Sequence, residues 1–321
     1  MWTHWHRNSG RDGKSGETLA MNVLVSGASG LIGRAFVQAA SAQQWSMRRL
    51  VRGHFGERDA SWNPETGEIQ ASALDGIDAV VHLAGEPLLG GRWSEAKKRR
   101  IVQSRENGTR GLAEAIARAV RRPLVMLSAS ATGIYGSRGD ELLTEVSSRG
   151  TGFLVDVCHR WERSTVAAEQ AGVRVVHLRI GVVLDNGGGA LRTMLPTFRA
   201  GLGGRLGSGT QWMSWITLED VIRSMEHAIA DDSLRGPVNI VSPHAVTNAE
   251  LTATLARVLG RPAALPVPAW ALRLALGEIA DEAVLASARV MPERLIAATF
   301  EHRHPDLEGA LRAVLARPRS D

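Results

Sequence analysis

Three residue types that often carry chemistry are almost missing from this chain. Its 321 residues include one cysteine, Cys158, one tyrosine, Tyr135, and three lysines, Lys14, Lys97 and Lys98. A single cysteine excludes an intrachain disulfide framework. No Cys/His cluster has zinc spacing, so no metal site is expected. A reducing, cytoplasmic setting fits. No apolar run approaches the ~20 residues that span a bilayer, so no membrane partner is expected. Aromatic residues make up only 5% of the chain and are not interleaved with basic ones as base-stacking surfaces require. The net charge of +5 therefore does not imply a nucleic-acid partner. The densest basic run, Lys97-Lys98-Arg99-Arg100, lies inside a helical pattern over 93–120 and reads as a solvated face.

What is present is ordinary for a globular protein, with 44% hydrophobic and 22% charged residues. The length allows two domains, or one with a sizeable annex. Residues 1–20 are polar and lack both periodicity and the apolar core of a signal peptide. They read as a disordered arm or as the product of a misassigned start, with the globular pattern beginning at Met21.

The most informative stretch is Gly27-Ala28-Ser29-Gly30-Leu31-Ile32-Gly33. It follows the apolar run 22–26 and opens a helical pattern over 31–44, the order of a dinucleotide-binding βαβ unit. Gly27 suits the tight turn, Gly30 lets backbone amides approach a pyrophosphate, and Gly33 lets the helix pack closely on the strand. The helix N-terminus offers free N–H groups and a partial positive charge to the phosphates. Further strands are predicted over 46–51, 61–63, 78–83, 124–127 and 174–179, with helices over 93–120 and 153–170 between them. Strands alternating with helices predict an α/β fold, a Rossmann-type doubly wound parallel sheet. After Arg179 glycine-rich turns and short helices take over, and from Thr247 the chain reads as mostly helical with proline breaks. The expected organisation is a dinucleotide-binding domain over 21–240 with substrate-side insertions at about 181–216, then a smaller helical C-terminal region over 241–321.

The end of the second predicted strand bears on cofactor choice. An acidic residue there binds the ribose 2′-OH of NAD, whereas arginine accommodates the 2′-phosphate of NADP. This chain reads Met47-Arg48-Arg49-Leu50-Val51-Arg52-Gly53, with no carboxylate before Glu57. NADP(H) is therefore favoured over NAD(H), with Arg52 as phosphate partner, against the alternative that these arginines merely flank a surface strand. The run His82-Leu83-Ala84-Gly85 ends the fourth strand in small residues, so Leu83, Ala84 and Gly85 join the cofactor set with Ser29, Leu31 and Ile32. Arg105, placed in the same cofactor set, and Arg179, near strand carboxyl ends, are candidates to clamp a phosphate or carboxylate.

These motifs resemble the extended short-chain dehydrogenase/reductases: the glycine turn, the His82–Gly85 tetrapeptide, and Ser128–Gly136 after the fifth strand. More closely, the chain is similar to the YfcH-like epimerase family. The similarity runs through Arg92-Trp93, Ser104-Arg105, Gly108-Thr109, Cys158–Glu162, Leu178–Leu184, Gly203–Trp215, Glu219-Asp220, Gly277–Asp281 and Arg289–Pro292. The resemblance covers Met21 to about Ala316. It implies a Rossmann fold, an NAD(P) cofactor, nucleoside-diphosphate-sugar epimerase chemistry and a C-terminal domain of unknown function.

The broader group usually carries Tyr-x-x-x-Lys on the helix after the fifth strand, so that lysine and cofactor ribose lower the phenol pKa for proton transfer. This chain cannot assemble that pair. Tyr135 is followed by Gly136-Ser137-Arg138-Gly139. Counting back from Glu162, the tyrosine and lysine positions hold Leu154 and Cys158. One reading is an enzyme with rearranged groups: Ser130 as donor to a carbonyl oxygen, Tyr135 as acid/base, and Cys158 as thiol or close packer. The opposing readings are a buried phenol for Tyr135 and a small helix hydrophobe for Cys158. Arg179 and Trp212 are placed on the substrate side, although Trp212 and Trp215 also suit a domain junction. Trp161-Glu162 reads as core plus helix surface, and Glu219-Asp220 as a helix start. A second reading is a catalytically weak NADP(H)-binding regulatory protein acting through a protein partner. A structural scaffold, the third, leaves the glycine turn unexplained. The chain is expected to be a monomer or homodimer acting on a small polar, sugar-nucleotide-like molecule.

Overall fold

The computed structural model describes residues 21–53, 56, 58–88 and 91–317; the segment 1–20 expected to be an arm lies outside them. Seven parallel strands form the central sheet: β1 (Asn22–Ser26), β2 (Ser46–Val51), β3 (Asp59–Ser61), β4 (Ala79–His82), β5 (Val125–Ala131), β6 (Arg174–Ile180) and β7 (Gly236–Ile240). Their spatial order is β7-β6-β5-β4-β1-β2-β3. The order reverses beside β1, and that reversal opens the crevice where dinucleotides lie in such sheets. β3 falls two residues earlier than the apolar pattern indicates, because Trp62 leaves the strand to bridge Ile69.

Ten α-helices accompany the sheet among the described residues. They are α1 (Leu31–Ala42), α2 (Glu95–Arg118), α3 (Phe153–Arg163), α4 (Val166–Gln170), α5 (Gly189–Arg199), α6 (Leu218–Ala230), α7 (Asn248–Leu259), α8 (Ala269–Leu276), α9 (Glu293–Ala297) and α10 (Leu307–Ala316). The single helix expected over 153–170 is two, because Ser164 and Thr165 turn their hydroxyls back onto the carbonyls of Arg160 and Glu162. Such back-bonding by Ser and Thr bends or ends helices. Among the described residues no helix is long and apolar enough to cross a membrane.

Each face of the sheet has its own core. Val23, Val25, Val81, Leu127 and Leu178 pack with Phe36 of α1 and with Val221 and Met225 of α6. Leu24, Val80, Met126 and Val175 pack on the other face with Leu112 and Ile116 of α2 and Ala168 of α4. That second face changes character along the strands. Side chains two residues on point the same way. The apolar row is therefore followed by Ser26, His82, Ser128 and His177, which are register partners across β1, β4, β5 and β6. Next comes the row Ser130, Arg179 and Asn239 across β5, β6 and β7. Polarity thus accumulates toward the carboxyl edge.

The 181–216 insertion packs with the C-terminal region. Leu191, Leu195 and Phe198 of α5 and Trp215 share a core with Leu251 and Leu255 of α7 and Leu307 and Leu311 of α10. The C-terminal region is mostly helical and adds two-residue strands at Val246–Thr247 and Arg289–Val290.

Candidate active site

The glycine turn is built as a phosphate cradle. Gly27 has φ of +72°, and a Cβ there would lie 2.7 Å from the Leu83 carbonyl carbon and 2.8 Å from the Ala84 nitrogen. Glycine is thus required twice, by a conformation that side chains rarely adopt and by the crossing against the end of β4. At Gly33 a Cβ would sit 2.2 Å from the Gly27 carbonyl oxygen, so this glycine seats α1 on the turn more than on the strand. Gly30 differs: only the Gly27 oxygen, 3.3 Å away, borders its missing Cβ. The start of α1 receives no side-chain cap and carries no acidic residue in its first turn. Its amide donors remain available to an anion, and a dinucleotide pyrophosphate fits this cradle. Ser29 is exposed at the tip, Ile32 packs on the first core, and Leu31 meets the second glycine turn, where a Cβ on Gly188 would lie 2.8 Å from its Cδ1.

The β2 arginines divide their work. Arg48 Nη1 donates to the carbonyls of Ser72, Ala73 and Asp75. Arg49 forms a two-pronged pair with Asp59 at 2.7 and 2.8 Å. Arg52 is exposed and, among the described residues, forms no hydrogen bond or ion pair. Ser26 pairs with Leu50 in register, which carries Arg52 to the level of the glycine turn.

Beyond β4, Leu83 and Ala84 lie under the glycine turn and Gly85 lies against Arg105; a Cβ on Gly85 would sit 3.3 Å from the guanidinium carbon. Arg105 is buried in α2. Its Nη1 donates to the carbonyls of Glu86 (3.0 Å) and Ile101 (3.2 Å), and its plane lies 4.8 Å over the Trp161 ring. Burial lowers its pKa, and no carboxylate is within ion-pairing distance among the described residues. Glu86 instead pairs with Lys97 at 2.7 Å, a hydrogen bond that holds its carboxyl below the usual range.

The groups nominated for catalysis are engaged in the fold. Tyr135 is 0% exposed; its hydroxyl donates to Asn239 Oδ1 at 2.7 Å and accepts from Arg179 Nη1 at 2.9 Å. Burial raises its pKa against the opposing pull of Arg179. Arg179, 8% exposed, grips Glu162 with two bonds of 2.8 and 2.9 Å. Ser130 donates to the same carboxylate at 2.8 Å. Burial alone would raise the Glu162 pKa, but the bonds and charge of Arg179 outweigh it and hold the carboxyl low. The helix-surface expectation for Glu162 is thereby corrected, because Arg179 draws it inward. The Cys158 thiol is pushed up to about 12 by burial and by Glu162, so it stays protonated and packs as a small hydrophobe.

Trp212 donates from Nε1 to Asp140 at 2.6 Å and lies 4.4 Å from the Arg289 guanidinium, joining the 181–216 insertion to the C-terminal region. Trp215 is buried, with Nε1 on the His244 carbonyl. Glu219 and Asp220 begin α6 behind the Thr217 cap, and Asp220 also accepts the backbone N–H of Arg303 and His304.

Sequence reasoning missed several buried polar partners. His82 bonds Ser26 Oγ at 2.6 Å and Thr109 Oγ1 at 2.9 Å, and burial takes its pKa down to about 4. Glu145 accepts the backbone N–H of Asn239 and Arg294, and Glu282 accepts those of Phe153 and Leu154 at the start of α3. Only the alternation of Ser and His within otherwise apolar strands hinted at the polar rows. Among the described residues no cluster suited to a metal ion occurs.

Comparison with known proteins agrees with this architecture. Residues 23–241 match the NAD dependent epimerase/dehydratase family, and 267–314 match a domain of unknown function, DUF1731. An epimerase family protein of Mycobacterium tuberculosis is 44% identical over 297 residues, covering 92% of this chain and 98% of the relative. The human epimerase family protein SDR39U1 is 35% identical over 301 residues, covering 92% of this chain and all of the relative. The crystal structure of its isoform 2 with NADPH superposes with a TM-score of 0.85 at 32% identity, covering 92% and 99% of the two chains. A nucleoside-diphosphate sugar epimerase from Corynebacterium glutamicum superposes at 0.77 with 34% identity, covering 92% of this chain and 58% of that one. With this fold, this phosphate cradle and these relatives, the chain belongs to the NAD dependent epimerase/dehydratase family, in the branch that carries the DUF1731 domain.

Proposed function

We propose that this chain binds NADP(H) along the carboxyl edge of its sheet and uses it as an oxidoreductase or epimerase on a small polar, sugar-nucleotide-like substrate. The observation that carries the cofactor choice is Arg52, without a partner among the described residues, at the level of the glycine turn beside Arg48 and Arg49, which are already engaged. The cofactor would supply the hydride. The glycine turn and the start of α1 would hold its pyrophosphate, Leu83–Gly85 would lie against its body, and Arg52 would meet the 2′-phosphate. The NADPH carried by the human relative and the name of the Corynebacterium glutamicum relative support the cofactor and the substrate class.

A second reading, an NADP(H)-binding regulatory protein with little turnover, is favoured by one observation. Tyr135, Ser130 and Arg179 are bonded to protein partners and Cys158 is a protonated thiol, so every nominated acid/base is engaged by the protein or buried. In both readings Tyr135 is a buried structural phenol.

Titrating dialysed protein with NADPH and NADH tests the shared claim. NADPH should bind at least tenfold more tightly, and Arg52→Ala should remove most of that preference, a charge-assisted contact being worth about 1.5–3 kcal/mol. Equal affinities in the wild type would end the Arg52 argument. Product analysis across sugar nucleotides separates the two readings, as does partner capture with and without NADPH.

A further inference from the structure

In the broader group that this chain resembles, the lysine of the usual pair acts on the phenol together with the cofactor ribose, so it also supplies a fixed positive charge at that place. In this chain Cys158 holds that position on α3, and neither described lysine replaces it. Lys97 pairs with Glu86, and Lys98 with Glu278 and Glu95. A cation nevertheless faces the same helix. Arg105 reaches from α2 to within electrostatic range of Cys158, stacks on Trp161 one turn further along α3, and lies against Gly85 beside the glycine turn.

Its bonding is incomplete in a directed way. Only Nη1 is engaged, by two backbone carbonyls; Nε and Nη2 carry no hydrogen bond among the described residues. Arg105 is only 8% exposed, and the neighbouring Trp161 Nε1 is a buried donor without a partner among the described residues. A buried guanidinium without a carboxylate is costly unless a ligand completes it. Gly85 is itself exposed and has no side chain to cover the guanidinium that lies against it.

We propose that Arg105 takes over the cofactor-holding role of the missing lysine, donating from Nε and Nη2 to the hydroxyls of the nicotinamide ribose. The inference rests on the cofactor reading above and extends it to the other half of the dinucleotide, opposite Arg52. It also accounts for the chain having lost the lysine while keeping its glycine turn. The charge now comes from a different helix and is held rigidly by stacking and two carbonyls. Leu154, in the tyrosine position, is apolar and buried, so Arg105 has no phenol to tune there and acts on binding alone.

The test uses the full chain and two probes, NADPH and adenosine 2′,5′-bisphosphate, which lacks the nicotinamide half. Arg105→Gln keeps a donor for the carbonyls but removes the charge. It should weaken NADPH roughly ten- to a hundredfold while leaving the bisphosphate within about twofold, the range expected for losing hydrogen bonds to a charged group. Arg105→Lys should recover most of the NADPH affinity. Thermal unfolding of each variant shows that it is folded. Equal weakening of both probes by Arg105→Gln, or no weakening of NADPH, overturns the assignment, as does an Arg105→Lys variant no better than Arg105→Gln. Failure of the wild type to bind either NADPH or NADH would instead overturn the cofactor reading itself.

Discussion

The glycine turn and the Tyr135–Arg179 cluster lie at the same carboxyl edge of one sheet, yet their polar groups are in opposite states. At the turn the donors are open: the first amides of α1 lack a side-chain cap, Gly30 has no side chain to cover them, and Arg52 has no partner among the described residues. At the cluster Ser130, Arg179 and Tyr135 close on Glu162 and Asn239 with bonds of 2.7–2.9 Å. Open donors at the start of a helix suit an anionic ligand. Closed ones stabilise the chain and fix the alignment of β5, β6 and β7. Changes in the closed region should therefore register as stability, and changes in the open region as cofactor affinity.

Glu162→Ala is the strongest challenge to that division. It leaves the Arg179 guanidinium buried without its carboxylate, and the loss of one member of a buried pair costs about 3–5 kcal/mol. Denaturant unfolding should show this loss, while NADPH affinity of the folded fraction stays unchanged. A variant of wild-type stability with impaired cofactor binding would place Glu162 in the open region.

His82 sharpens the comparison through pH. Its pKa is down to about 4 in the folded chain, against an ordinary 6.5. Between those values the unfolded chain binds a proton that the folded chain does not. Stability therefore falls as pH drops from about 6.5 to 4, by roughly 3 kcal/mol from this residue alone. The difference in unfolding free energy between wild type and His82→Gln, followed from pH 7 to 4, should show this slope in the wild type only. Tyr135→Phe is the mildest of the three changes. It removes one donor and one acceptor from a closed network, costs about 1–3 kcal/mol and leaves NADPH affinity intact. Lost turnover with unchanged stability would return the phenol to the chemistry.

The two regions were unequally legible in the sequence. The turn was readable because its requirements are local: a positive φ at Gly27, a helix start at Leu31 and a strand immediately before them are fixed by neighbours in the chain. The closed cluster joins Ser130, Tyr135, Glu162, Arg179 and Asn239, whose side chains meet only after β5, β6, β7 and α3 have assembled. Arg179 looked available for a substrate because nothing adjacent in sequence neutralises it, and its partner lies 17 residues away on α3. Likewise Ser164 and Thr165 broke a helix that apolar spacing had predicted to be continuous.

By itself, then, the sequence determined the parallel α/β sheet, the phosphate turn and the absence of the usual tyrosine–lysine pair. Periodicity, glycine conformation and the identity of residues four apart on a helix are properties of the local chain. The tertiary structure decided which polar side chains are free. That Arg52 has no partner among the described residues, that Arg105 lies against Gly85 and Trp161, and that Tyr135 is sealed from solvent each depend on which groups converge from distant strands and helices. Burial and pairing, which set charge and reactivity, exist only once those elements pack.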